Sequence, residues 1–350
     1  ILCSNCCFRV YSKQQTLWNQ IMDNMIASIG MGGNSVIIAL SATLLFFGAD
    51  WLVKGGSQLA KQMGVKPLIV GLSIVAFGTS MPEFVVSLIA NVFEDSSTIA
   101  IGNIIGSNVT NIGLILGVSG LIFPITIHFK QTYKGLIFLF AVSLLLYGLS
   151  LDGSVSRIDG LIMVLVLIGY IFYLYRHPSE VPLENFEGEF GSKANNLLLV
   201  LAGSIALSVG AWLFVKSAVW IAEEFDIPKM VIGLTIVAVG TSLPELATSL
   251  VAAFRKHGEI SVGNIIGSNV FNILFIMGGV GLIKPLDVLE SRTIAGEAVK
   301  IFPHAQYLIM MAFGLVLIPL GMRHKIGRLT GTILVLGYLS FYIYLFYGRA

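Results

Sequence analysis

The stretch from Gly71 to Gly113, GLSIVAFGTSMPEFVVSLIANVFEDSSTIAIGNIIGSNVTNIG, recurs at Gly233 to Leu274 as GLTIVAVGTSLPELATSLVAAFRKHGEISVGNIIGSNVFNIL, one residue shorter in its middle. Gly78-Thr-Ser-Met-Pro-Glu83 therefore matches Gly240-Thr-Ser-Leu-Pro-Glu245, and Gly102-Asn-Ile-Ile-Gly-Ser-Asn108 matches Gly263-Asn-Ile-Ile-Gly-Ser-Asn269. A chain that repeats itself in this way folds as two copies of one unit. Each copy sets a glutamate, two hydroxyls and a helix-breaking proline into text otherwise apolar enough to span a bilayer. An ionisable side chain at that depth is costly and marks a place of function.

Composition agrees with this reading. Of 350 residues, 56% are hydrophobic and 11% charged, with a mean hydropathy of +0.88, whereas soluble domains carry about 25% charged residues. The chain reads as an all-α polytopic membrane protein embedded in a lipid bilayer. A net charge of +2 without a long basic run gives no footing for nucleic acid. Without an HExxH, GxSxG or GxxxxGK[ST] pattern there is no support for an enzyme or an ATP-driven pump. Cys3, Cys6 and Cys7 crowd the first seven residues and form neither a disulfide framework nor a zinc site. No cofactor and no obligate protein partner are expected.

At about 20 apolar residues per span, helices are expected near 35–60, 67–91, 97–123, 134–150 and 158–175, then near 196–223, 228–253, 259–284, 304–321 and 328–347. Residues 1–34 read as an accessory or disordered extension and 35–175 as a first repeat of five helices. The segment 176–195 reads as a polar acidic linker, and 196–350 as a second repeat of five. Equivalent loops change charge sign: KQMGVK becomes EEFDIPK, and EDSS becomes RKHGE. Loops matched in sequence but opposite in charge face opposite sides of a membrane, as an odd number of spans per repeat requires. The repeats are thus expected to be inverted, which is a transporter arrangement. The distribution of Lys and Arg places both termini outside.

The repeated residues suit cation binding. Pro82 cannot donate a backbone hydrogen bond, so carbonyls near Ala76 and Gly78 are expected to lose their intrahelical partners and to face a ligand, water or protein. Thr79, Ser80 and Glu83 add side-chain oxygens beside them. Ser107 and Asn111 are four apart and share a helix face, as do Ser268 and Asn272. When the copies fold together, Glu83 and Glu245 can meet inside a ring of neutral oxygens. Ca²⁺ takes about six to eight oxygen ligands, and several of the same groups could hold Na⁺. Two carboxylates held together away from water repel each other unless cations or protons neutralise them, which favours obligatory exchange over leak. Asp50 has no acidic counterpart, because Trp212 stands at the matching place; it reads as a helix-end polar group.

These doubled motifs resemble the two α-repeats of the Ca²⁺/cation antiporter superfamily, and within it the prokaryotic Na⁺/Ca²⁺ exchangers, over nearly the whole chain from about Ser35. The resemblance implies ten helices in two inverted halves and a secondary antiporter of a prokaryotic cell membrane that exchanges several Na⁺ for one Ca²⁺. It further implies cation ligands at Glu83 and Glu245, with Thr79, Ser80, Thr241 and Ser242 beside them, and Ser107, Ser268 and Asn111 opposite. Carbonyls of Ala76 and Ala238 would complete the Na⁺ sites. Alternating access would come from sliding of the helices near 35–60 and 196–223. Parts of the family carry Asp where this chain has Asn272, and the neutral residue argues against K⁺ co-transport. The same scaffold coupled to H⁺ or to K⁺ is the alternative, and a passive cation channel a more distant one.

Overall fold

Long apolar runs can satisfy their backbone in lipid only as helices, and the chain forms helices at nearly every expected place. The structure is a computed structural model that describes residues 24–94, 96–126, 129–176, 192–227, 238–294, 297–322 and 325–347. The first half comprises α1 (Gly30–Gln62), α2 (Pro67–Thr79), α3 (Met81–Val92), α4 (Ser97–Ile122), α5 (Phe129–Ser150) and α6 (Arg157–Arg176). The second comprises α7 (Lys193–Glu224), α8 (Ala238–Thr241), α9 (Leu243–Phe254), α10 (Gly258–Ile283), α11 (His304–Met322) and α12 (Arg328–Tyr347). Among the described residues eight helices are long and apolar enough to cross a membrane, or nine with α2 and α3 counted as one span bent by 45°. The span expected near 228–253 falls in part outside the described residues; α8 and α9 are its described portion. Residues 24–28 are helical and α1 begins at Gly30, so helix reaches into the segment expected as an extension.

Burial sorts the helices into layers. In their most apolar windows, 83% of α10 and 72% of α4 is buried, against 22% for α6 and 28% for α12. The Gly-Ser-Asn helices therefore form the centre and the plain apolar ones the lipid-facing wall. Small residues let the central backbones meet. A methyl group on Gly263 of α10 would lie 2.7 Å from the Leu68 carbonyl and 3.1 Å from the Gly71 Cα of α2. Helix α1 packs along α7 by the same device. A methyl on Gly203 would come within 2.7 Å of the Gly48 carbonyl, and one on Gly55 within 2.7 Å of the Asn196 carbonyl. Contacts that run up one helix while running down the other make the pair antiparallel.

Short strands record the relation between the halves. Strand β1 (Ile125–Thr126) of the first repeat pairs antiparallel with β6 (Lys325–Ile326) of the second, and β2 (Ser154–Val155) with β3 (Leu286–Asp287). Each β-pair joins a loop after one repeat's third span to a loop after the other repeat's fourth, α4 with α11 and α5 with α10, as two units related by a pseudo-twofold axis require. Strands β4 (Glu290–Ile294) and β5 (Glu297–Ile301) form a hairpin in a region expected as a loop. Lys300 Nζ lies 2.6 Å from Asp287 Oδ2 beneath it.

Asp50 is not at a helix end. It stands within α1 and pairs with Arg255, just past α9, at 2.6 Å. With Arg255 half exposed, the pair contributes no more than about 1 kcal/mol. Asp50→Asn is therefore expected to lower the melting temperature in detergent slightly at low salt and not at all in 1 M salt, where the Debye length is about 3 Å. A large loss that persists in high salt would show that the pair is structurally essential.

Candidate ion-binding site

The chain breaks at Ser80, whose φ of −85° and ψ of 4° end α2 before Pro82 opens α3. Proline in a first turn needs no amide partner, so the break is made at no cost to α3. The same sequence in the second copy breaks at Ser242, φ −90° and ψ 8°, ahead of Pro244. Both glutamates fall in the first turn beyond their break, where the helix dipole favours negative charge.

Glu83 and Glu245 are both fully buried and close enough to act on each other directly. Neither oxygen of Glu83 has a hydrogen-bond partner, and Oε2 of Glu245 has none. Oε1 of Glu245 accepts from Ser80 Oγ at 3.2 Å. Thr79 Oγ1 lies 3.1 Å from Asn264 Oδ1, 3.2 Å from Ser268 Oγ and 3.3 Å from the Ala76 carbonyl. With one proton it can donate to only one of these at a time. Asn111 Nδ2 donates to Asn269 Oδ1 at 3.1 Å, and Asn272 Nδ2 donates to Asn108 Oδ1 at 3.3 Å. Each asparagine thereby spends its amide on the other repeat, while Oδ1 of Asn111 and of Asn272 stays buried without a partner. Ser107 and Ser242 are buried, the latter with a hydroxyl that makes no hydrogen bond, and Thr241 is half buried. The side chain of Ala238 lies outside the described residues.

Orphaned oxygens are rare in protein interiors because each costs about 1–3 kcal/mol, and more when charged. Here they come from both repeats and are of one chemical kind, carboxylate, amide and hydroxyl oxygen. Among the described residues no group of three or more His, Cys, Asp or Glu could hold a metal, so a cation here would rely on two carboxylates and neutral donors. That is a donor set for hard cations, not for zinc or other softer metals. A stacked Phe84–Phe275 pair at 4.8 Å, joined by Phe77 and Phe271, packs α2 and α3 against α10.

One expectation is corrected. The Ala76 carbonyl does not lose its helical partner, since the Ser80 amide donates to it at 3.0 Å; proline deprives the carbonyl four residues before itself, and for Pro82 that is Gly78. In the second copy the Ser242 amide turns to the Val239 carbonyl at 3.1 Å. The two breaks are thus alike in sequence and in the backbone angles of their serines.

Residues that stand out less in the sequence orient the ligands. Asn103 donates to Ser87 Oγ at 2.9 Å and to the Glu83 carbonyl at 3.2 Å, and Asn264 donates to Ser249 Oγ at 3.2 Å. Asn108 and Asn269 hold the asparagine amides. Each recurs in the other copy (Ser87 with Ser249, Asn103 with Asn264, Asn108 with Asn269), and a position-by-position comparison of polar residues would have found them. Thr248, buried with an unpartnered hydroxyl, matches Val86 and left no such signal. Nor did the π-helical turns at Gly71–Val75, Asn111–Leu116 and Asn272–Met277, wide turns that often occur at functional sites.

The family profile described as "Sodium/calcium exchanger protein" matches residues 34–176 and 195–347. The chain is 32% identical over 358 residues to sodium/calcium exchanger MaX1 of Methanosarcina acetivorans, covering 90% of this chain and 99% of that one. It is 32% identical over 265 residues to inner membrane protein YrbG of Escherichia coli, covering 73% and 81%. Among solved structures, the sodium-calcium exchanger NCX_Mj soaked with Na⁺ and Ca²⁺ superposes with a TM-score of 0.75 at 32% identity, over 91% of this chain and 99% of that one.

Proposed function

The chain belongs to the sodium/calcium exchanger family, and from that premise we propose that it exchanges Na⁺ for Ca²⁺ at the pair Glu83 and Glu245. It is a secondary transporter of the membrane, built from inverted repeats. Ca²⁺ is held between the two carboxylates, with Thr79 and Thr241 beside them. Na⁺ ions occupy flanking positions among Ser80, Ser107, Ser242, Ser268, Asn111 and Asn272 and the carbonyls of Ala76 and Ala238. A carbonyl has two lone pairs; the Ser80 amide takes one on Ala76, and the other is open to an ion when the Thr79 hydroxyl donates to Asn264 or Ser268 instead. We take 35–175 and 196–350 as the repeats, 176–195 as their linker, and both termini as external.

The observation that carries this reading is Glu83, a fully buried carboxylate with no hydrogen-bond partner at either oxygen, facing a second buried carboxylate. Left without a counter-charge, the pair is unfavourable to move across the membrane. Loaded with Ca²⁺ or with Na⁺ it is not, and transport is therefore tied to exchange. The test is Ca²⁺ uptake into liposomes loaded with Na⁺, against liposomes loaded with choline at matched pH. Uptake is expected only with internal Na⁺. Uptake indifferent to Na⁺ and driven by a pH gradient would overturn the reading.

A further inference from the structure

Away from the ion site, a cleft of about 580 Å³ opens between α2, α5 and α6, within the roughly 300–1,000 Å³ range of small-molecule sites. We propose that it binds an anionic phospholipid, with the headgroup between Lys66 and Lys134 and an acyl chain along the apolar wall. Ile69, Leu72, Phe138, Val166 and Leu174 line that wall. Phe138 and Tyr170 stack within it at a centroid distance of 3.9 Å. The Tyr170 hydroxyl is buried in the lining without a hydrogen-bond partner, a donor poised for a phosphate or ester oxygen.

Lys66 stands just before α2 and Lys134 in the second turn of α5, and both line the cleft. Lys66 caps the start of α2 and is only 6% exposed. Burial pulls its amine below the usual lysine range, against the opposing influence of Glu259. Lys134 Nζ donates to a phenol rather than a carboxylate, the Tyr173 hydroxyl at 3.2 Å, and stands 5.9 Å from that ring's centroid. The outer flank of α6 is apolar and open, with Leu165, Ile168 and Phe172 more than half exposed, so the cleft is continuous with a lipid-facing surface. Basic pockets between spanning helices recognise anionic headgroups in this way. The inference is independent of which ions the exchanger moves.

The test measures lipid retained by the purified protein after reconstitution into equal phosphatidylglycerol and phosphatidylcholine. Wild type, Lys66→Gln/Lys134→Gln and Gly169→Leu are compared; Gly169 lines the cleft, and a Cβ there meets nothing within 4 Å. Two lysines are expected to enrich phosphatidylglycerol up to about thirtyfold. The lysine variant should bring the ratio near unity, and Gly169→Leu should lower retention of both lipids by filling the tail channel. Both variants should keep the wild-type melting temperature in neutral detergent, which reports that they are folded. Equal retention of the two lipids by wild type, or enrichment untouched by the lysine variant, overturns the proposal. So does enrichment that appears only once Glu180, Glu184, Glu187 and Glu189 are changed to Gln, because the acidic linker would then be the occupant.

Discussion

Glu83→Gln is expected to abolish Na⁺-dependent Ca²⁺ uptake, lowering Ca²⁺ affinity about 10²- to 10⁴-fold. The estimate takes the cost of removing one partner from a buried charge pair, about 3–5 kcal/mol, at about 1.4 kcal/mol per decade. Glutamine keeps the shape of the side chain but brings no charge to a dehydrated divalent ion. The two unsatisfied oxygens of Glu83 give the variant a second signature. Without ions, a buried carboxylate lacking donors destabilises the fold, so the neutral variant should melt higher than wild type in ion-free buffer. Saturating Ca²⁺, which adds about 2.7 kcal/mol at a hundred times Kd, should then stabilise wild type and leave Glu83→Gln unchanged. Glu245→Gln should lose uptake equally but gain less ion-free stability, because Ser80 already donates to Glu245. Uptake within threefold of wild type in either variant would place the ions elsewhere.

The second large effect is expected at Gly263. A methyl there meets the Leu68 carbonyl at 2.7 Å and the Leu72 amide nitrogen at 3.1 Å, atoms of the backbone that cannot rotate aside. Overpacking of this kind costs about 1–3 kcal/mol. It also pushes α10 from α2 within two turns of the Thr79–Ser268 contact. Gly263→Ala should lower both the melting temperature and the exchange rate. Gly148→Ala, where an added methyl meets nothing within 4 Å, should keep both or gain slightly from a stiffer unfolded chain. Equal behaviour of the two variants in fluorescence-detected thermal unfolding would remove close backbone approach as the reason for glycine at 263.

The halves, their spans and the two glutamates were legible in the sequence because duplication marks each twice. A Glu behind a Pro in an apolar stretch is ambiguous once and pointed when repeated. The fine structure of the breaks was not legible. That the Ser80 amide still reaches the Ala76 carbonyl across the break is set by backbone angles, which the text alone does not give. The pairing of Asn111 with Asn269 and of Asn272 with Asn108 was hidden for another reason: each partner lies in the opposite repeat, more than 150 positions away. The hairpin β4–β5 escaped because its pattern is short and its residues polar, which reads as loop by hydropathy alone.

Helices α1 and α7 run to 33 and 32 residues, about 50 Å each at 1.5 Å per residue, while the hydrocarbon core of a bilayer is about 30 Å thick. Joined along their glycines, they form a rod longer than the layer it crosses, and the rod must lean or protrude. Any step that alters its lean changes the mismatch with the surrounding lipid, at fractions of a kcal/mol per ångström. Membrane thickness thus enters the energetics of the transport cycle, and longer or shorter acyl chains should shift the balance between the protein's two openings without touching an ion ligand.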